Sequence, residues 1–207
     1  MKLETKNFDT GVIGLSNKEI DLLLNQILFN TSTKDDVINI SQKTDIIFTS
    51  SAVDENLVNK KRTLHLEKDF THKLLHYLRE DEFEYGFENR ADVLVKNQMA
   101  INSLATKEWL NKIYVNNFKN PEILIGILRL IARFRIEVIS PEGKTMAIAA
   151  IAHKNIEVQE CGIRAFESWG TLDSLDILSN VKVQPDWLQD YLNQVIINIE
   201  TEHAIIR

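Results

Sequence analysis

The sequence predicts an all-α chain whose C-terminal half is a stack of antiparallel helical hairpins, and three observations carry that prediction. Glycine and proline are scarce, 7 and 3 among 207 residues, which favours long helices joined by short connections over a protein rich in β-turns. Apolar residues recur mainly at helical rather than alternating spacing. Two well-bounded helices, one from Asn120 and one from Asn155, start 35 residues apart and match position by position.

Taken in order, "SNKEIDLLLNQILFN" opens with a capping-box pair, Ser16 and Glu19, and carries an apolar stripe of Ile20, Leu23, Leu24, Ile27 and Leu28, which predicts a helix. From Thr33 to Arg62, Val37, Ile40, Ile47 and Phe48 fit helical spacing, while the β-branched content also suits a short strand pair. "LEKDFTHKLLHYLRED" reads as one helix and "ENRADVLVKNQMAINSLA" as the next, through Ala91, Leu94, Val95, Met99 and Leu104.

Beyond Thr106 the punctuation becomes regular. Helix starts are marked by Asn120 before Pro121, Ser140 before Pro141, Asn155, and Gln184 before Pro185, because such side chains cap free amides and proline suits the first helical turn. "NPEILIGILRLIARF" aligns with "NIEVQECGIRAFESW", pairing Ile123 with Val158, Leu128 with Ile163, Arg129 with Arg164 and Phe134 with Trp169. A weaker third copy, "QPDWLQDYLNQVIINI", sets Pro185 on Pro121, Trp187 on Ile123 and Leu192 on Leu128, 29 residues after the second. Partner helices precede each copy: "TKEWLNKIYVNNF", "GKTMAIAAIAHK" and "SLDILSNV". Recurrence at such periods marks solenoid repeats, in which one hairpin cannot bury its apolar face alone.

In the second copy Val158, Cys161, Gly162, Ala165, Phe166 and Trp169 share one side, with Glu160, Arg164 and Glu167 opposite. Gly170 is placed to end the helix in the left-handed conformation. In the first copy Ile125 and Ala132 occupy the otherwise polar side, so that helix is expected to lie sandwiched between neighbours.

"NIEVQECGIRAFESWGTLDSLDILSNV" resembles a HEAT-like repeat of the short bacterial type, and the resemblance covers about residues 105–200. Asn155-Ile156 stands where that family usually has Asp-Pro, and Gln159 where it has Arg. The resemblance implies a right-handed α-solenoid used mostly to bind proteins, and it carries no catalytic residue over. The chain then reads as one continuous domain, a helical N-terminal part at residues 1–104 packed on a repeat region at 105–207.

Composition narrows the function classes. The 44% hydrophobic and 26% charged content is that of a soluble protein with no membrane-spanning run. A formal charge of −6 and a pI near 5.4 disfavour general nucleic-acid or anionic-membrane binding. The start "MKLETKNFDTG" has no secretion-signal core, and the single Cys161 is expected to be a buried structural thiol in a reducing cytoplasm.

Three constellations invite a functional reading. His65, Asp69, His72, His76 and Glu80 would share one stripe of a continuous helix, and His72 and His76 are the candidates for a metal ligand pair. The opposite side, Leu66, Phe70, Leu74 and Leu78, is expected to be buried, so the favoured reading of the stripe is a solvated face and no metal or cofactor is assigned. "REDEFEYGFE" interleaves acids with aromatics, and Asp81, Glu82, Phe83, Glu84, Tyr85, Phe87 and Glu88 form the candidate partner-binding segment. Arg129, Arg133 and Arg135, with Lys112 and Lys119, are expected to pair with local acids rather than to form a nucleic-acid patch. Trp109, Trp169 and Trp187 are expected in the repeat core.

No nucleophile elbow, phosphate loop or zinc-ligand spacing is present. The expected activity is therefore a non-enzymatic protein-binding scaffold or adaptor. The alternatives are an immunity or inhibitor protein masking a basic toxin or nuclease, and a HEAT-like DNA glycosylase, against which the acidic pI argues.

Overall fold

The computed structural model describes residues 55–81 and 86–205, which fall in the second of the two units of the chain, Met1–Thr49 and Ser50–Arg207. The helix expected from Ser16 and the ambiguous segment up to residue 54 lie outside the described residues. Among the described residues there is no strand, and there are ten helices: α1 (Glu55–Asp69), α2 (Thr71–Glu80), α3 (Arg90–Ile101), α4 (Ser103–Asn116), α5 (Pro121–Ile131), α6 (Ile136–Ile139), α7 (Glu142–Ile151), α8 (Ile156–Trp169), α9 (Leu172–Leu178) and α10 (Asp186–Ile205).

Adjacency sorts most of them into two series. In one, α1 packs on α4 and α4 on α7; in the other, α2 packs on α5, α5 on α8 and α8 on α10. Successive members α1 and α2, α4 and α5, α7 and α8, and α9 and α10 also touch, and α3 packs on both α2 and α4. One continuous apolar core results, running from Leu66, Leu74 and Val95 through Trp109, Ile127 and Met146 to Phe166, Leu188 and Val195.

The helix that the sequence defines most sharply is α8. Asn155 Oδ1 accepts the Val158 amide at 3.0 Å, and Gly170 closes the other end at φ 53°, its amide donating to the Phe166 carbonyl. Val158, Cys161, Gly162, Ala165, Phe166 and Trp169 are all buried. Burial pushes the Cys161 thiol up from its ordinary value, which removes thiolate character and fits an inert core residue.

Small residues set how closely the series approach. A Cβ on Gly126 of α5 would stand 3.1 Å from Leu78 of α2, and one on Gly162 of α8 would stand 2.9 Å from the Ala147 carbonyl oxygen of α7.

Four side chains carry polar links between groups 33 to 38 residues apart. Trp109 Nε1 donates to Thr71 Oγ1 at 2.8 Å, across 38 residues. His153 Nε2 bonds the Phe118 carbonyl at 3.0 Å, and Trp169 Nε1 donates to the Phe134 carbonyl at 3.2 Å, each across 35 residues. His203 Nε2 bonds the Gly170 carbonyl at 2.8 Å, across 33. His153 Nδ1 also accepts the Asn155 amide. That amide can only donate, so Nδ1 is the acceptor in this bond and Nε2 is the atom left to donate to the Phe118 carbonyl.

Four local expectations need correction. The helix read through "LEKDFTHKLLHYLRED" breaks at Phe70, between α1 and α2. The one read through "MAINSLA" breaks at Asn102, whose side chain accepts the Ala105 amide and starts α4, so Leu104 is 50% exposed rather than buried. Ser140 does not start a helix: it is the extended residue that ends α6, and α7 begins at Glu142 after Pro141. Trp187 is 51% exposed, and Leu188 takes the buried position instead.

Tyr114 is buried, and its hydroxyl has no hydrogen-bond partner among the described residues. Burial pushes its pKa up to about 12 from an ordinary value of 10.0. The unfolded chain therefore loses this proton first, and the stability that the neutral phenol supports falls as pH rises from 10 through about 12. Tyr114→Phe is expected to hold or raise stability by up to ~1 kcal/mol at neutral pH and to flatten the alkaline decline, as read by urea midpoints between neutral pH and the alkaline limit.

Candidate binding groove

Among the described residues, the face that α5 and α8 share is open. A groove of about 980 Å³ is floored by Ile125, Leu128, Ala132 and Cys161. Arg129 lines it from α5 and Arg133 from the turn that follows α5, with Glu157, Glu160, Arg164 and Glu167 from α8. A second hollow of about 560 Å³ between α2 and α5 shares Ile125, Arg129 and Glu157 with it, so the two are continuous. As expected of a helix apolar nearly all round, α5 lies between neighbours, with α2 on one side and α8 on the other. Ile125 and Ala132 are half-buried at the edge of the core, packed against it and lining the groove, while Ile123, Leu124, Ile127, Leu128, Leu130 and Ile131 are buried.

The charges in the groove are ordered by local pairing. Arg164 is held by Glu160 at 2.7 Å and lies over the Tyr191 ring, 5.4 Å from its centroid. Tyr191 in turn donates its hydroxyl to Glu167, and burial with that bond pushes the phenol far above its ordinary range. Arg133 reaches out of the groove to the Asp92 carboxylate and the Phe87 carbonyl. The Arg129 guanidinium beside Cys161 acts against the rise that burial gives its thiol. Glu157 is exposed at the rim.

The acidic and aromatic segment divides differently from its sequence pattern. Glu82, Phe83, Glu84 and Tyr85 lie outside the described residues. Asp81 is bound by Arg90 through both its backbone amide, at 3.1 Å, and its guanidinium, which holds the carboxyl below the usual carboxylate range. Glu88 pairs with Lys96. Both carboxylates thus tie the segment to the start of α3, while Phe87, 69% exposed, points away from the core. Asn89 and Asp92 complete a reciprocal capping box there. Asp92 was not legible as a site residue; its only sequence signal is the Asn89-x-x-Asp92 spacing.

The histidine stripe is split by the break at Phe70. His65 on α1 contacts Asp69 at 2.7 Å, and His72 and His76 stand exposed on α2. Leu66, Phe70, Leu74 and Leu78 on the other side are buried. No group of three or more His, Cys, Asp and Glu among the described residues could hold a metal ion.

Desolvation, then the Arg62 charge, lowers the His65 pKa from 6.5 despite Asp69, which acts in the opposite direction. Burial outweighs the pair because Asp69 itself is well solvated. Between the folded value and 6.5 the unfolded chain binds more protons, so this stability is present above pH 6.5 and is lost as pH falls through the folded pKa. His65→Asn is expected to weaken the acid dependence of the thermal midpoint below pH 6.5, with scanning calorimetry as the check.

Of the basic residues expected to pair with acids, Lys112, Arg133 and Arg135 do so. Lys112 contacts Glu67 at 2.7 Å and Glu108 at 3.5 Å, and Arg135 contacts Glu137 at 3.2 Å. No helix among the described residues is long and apolar enough to cross a membrane. No family model matches the chain, and no curated protein or solved structure matches it either.

Proposed function

We propose that this protein is a non-enzymatic scaffold or adaptor of HEAT-like α-solenoid type, and that it docks another protein in the groove between α5 and α8. The observation that carries this reading is the groove itself, in which Ile125 of α5 and Ala132 just past its end remain partly exposed among charged side chains. Apolar side chains left partly exposed in a charged groove suit a surface that is covered in a complex.

The stacked reading is supported by the two series of neighbours and by the polar links that recur at 33 to 38 residues. Helices facing one another one repeat apart leave shallow channels between them, and successive channels join into an extended surface.

The test is a photo-reactive amino acid at Ala132, in the groove, and at Thr145, exposed on α7. In native cells the expected result is one discrete cross-linked protein from Ala132 and none from Thr145. Equal labelling from both positions, or none from either, would remove the groove as a docking site.

A further inference from the structure

We infer that His72 and His76, one turn apart on the exposed side of α2, form an open chelate for a late first-row divalent ion, Cu²⁺, Ni²⁺ or Zn²⁺. Neither residue lines the groove or the hollow beside it, so the site is independent of the scaffold reading.

The first argument is which imidazoles the fold leaves over. The chain has five histidines, and folding engages the other three. His65 is taken by Asp69 at 2.7 Å. His153 bonds the Phe118 carbonyl and the Asn155 amide, and His203 bonds the Gly170 carbonyl. His72 and His76 are exposed, and among the described residues neither ring makes a hydrogen bond or an ion pair. The one ring contact is that of His76 with Tyr77, its neighbour in sequence, with centroids 5.9 Å apart. An unengaged neutral imidazole offers a nitrogen lone pair, the donor that suits copper, nickel and zinc.

The second argument is spacing. Side chains four residues apart on a helix start from Cβ atoms about 5–6 Å apart and lean the same way along its axis. Two nitrogens that share one ion, each at about 2.0–2.1 Å from it, stand roughly 3 Å apart, a distance that ring rotation can close without moving the backbone. That backbone is held in place, because α2 is continuous from Thr71 to Glu80 and its other side is anchored by buried Leu74 and Leu78.

The neighbouring charges permit a cation. The Lys73 nitrogen is drawn over the Phe70 ring, 5.3 Å from its centroid, and Arg79 reaches toward Glu122 at 3.9 Å. Glu80, exposed one turn beyond His76, adds a carboxylate to the same stripe. Among the described residues no third His, Cys, Asp or Glu completes the pair, which leaves the remaining positions of the ion to water. Two nitrogen donors alone do not suit Mg²⁺ or Ca²⁺, which take oxygen ligands.

The test is calorimetric titration of the full chain with the chlorides of Cu²⁺, Ni²⁺, Zn²⁺ and Mg²⁺. Copper, nickel and zinc are expected to bind at one ion per chain, copper most tightly, and magnesium not at all. As Zn²⁺ is added, the imidazole proton resonances of His72 and His76 should shift together while those of the other histidines stay in place. His72→Gln and His76→Gln, both at exposed positions, are each expected to weaken Ni²⁺ binding at least about tenfold, because the second ring of a chelate acts at high effective concentration. Neither should move the thermal midpoint of the metal-free protein, and His65→Gln should leave the Ni²⁺ affinity unchanged. A loss of only about twofold in each single variant would mean two separate rings, and would overturn the inference. Equal Ni²⁺ binding by the natural chain and by the His72→Gln, His76→Gln double variant would overturn it as well.

Discussion

Gly162→Leu is expected to destabilise the protein by about 3 kcal/mol, near the upper end of the overpacking range. The reason is the atom that the new side chain would meet first. The Cβ position of Gly162 is 2.9 Å from the Ala147 carbonyl oxygen and 2.9 Å from Ala150 Cβ, with Ile151 at 3.1 Å. Two of these neighbours cannot swing away, because one is backbone and the other is attached to it directly. Helix α8 would have to lift off α7 or turn about its axis, and either movement exposes Val158 and Phe166, both fully buried. Gly162→Ala should cost less, since removing a mid-helix glycine returns up to ~1 kcal/mol of helix propensity. Gly126→Ala is the control. Its neighbours are Leu78 Cδ2 at 3.1 Å and Leu78 Cβ at 3.2 Å, which are looser than the contacts of Gly162 and involve no backbone atom, so its expected change is under about 1 kcal/mol. Chemical denaturation of the three variants checks the order.

The same contact shows which parts of the fold were legible in the sequence. Helix α8 could be drawn from its residues because both ends are marked locally, by Asn155 and Gly170, and because six inward positions obey one period. α10 could not be placed as well. Pro185 was aligned with Pro121, yet Pro121 is the first residue of α5 while Pro185 precedes α10, which starts at Asp186. That one-residue difference turns every later side chain by about 100°. The third helical residue is Ile123 in α5, Val158 in α8 and Leu188 in α10, and all three are fully buried. Trp187, one position earlier, faces outward.

The sandwiched position of α5 was legible: Ile125 and Ala132, apolar residues on its otherwise polar side, pack at the edge of the core of a helix held between α2 and α8. The groove was not, because sequence period reports that a side is apolar and does not report how deeply its residues are covered. The acidic segment failed for a different reason. Asp81 and Glu88 looked available because their partners, Arg90 and Lys96, lie eight or nine residues away across a turn, and no helical spacing rule connects them.

The tryptophans give the second large effect and separate packing from linkage. Trp109→Ala is expected to cost about 4 kcal/mol, the usual scale for a buried tryptophan, which corresponds to roughly 8–16 °C in Tm for a chain of this size. Trp109 is fully buried in α4, and its indole nitrogen reaches Thr71 at the start of α2. Removing it opens a cavity in the core and also leaves the Thr71 hydroxyl without this donor.

Trp109→Phe keeps most of the ring volume and loses the bond, and about 1–2 kcal/mol is expected. Thr71→Val loses the same bond from the other side. If the link acts as a hydrogen bond, the double variant should fall short of the sum of the singles by ~1 kcal/mol. Strict additivity would mean that Trp109 acts by volume alone. Trp187→Ala, at an exposed position, should move stability by less than about 0.5 kcal/mol. A large loss there would place Trp187 in the core after all, and the one-residue register of α10 would then have to be redrawn.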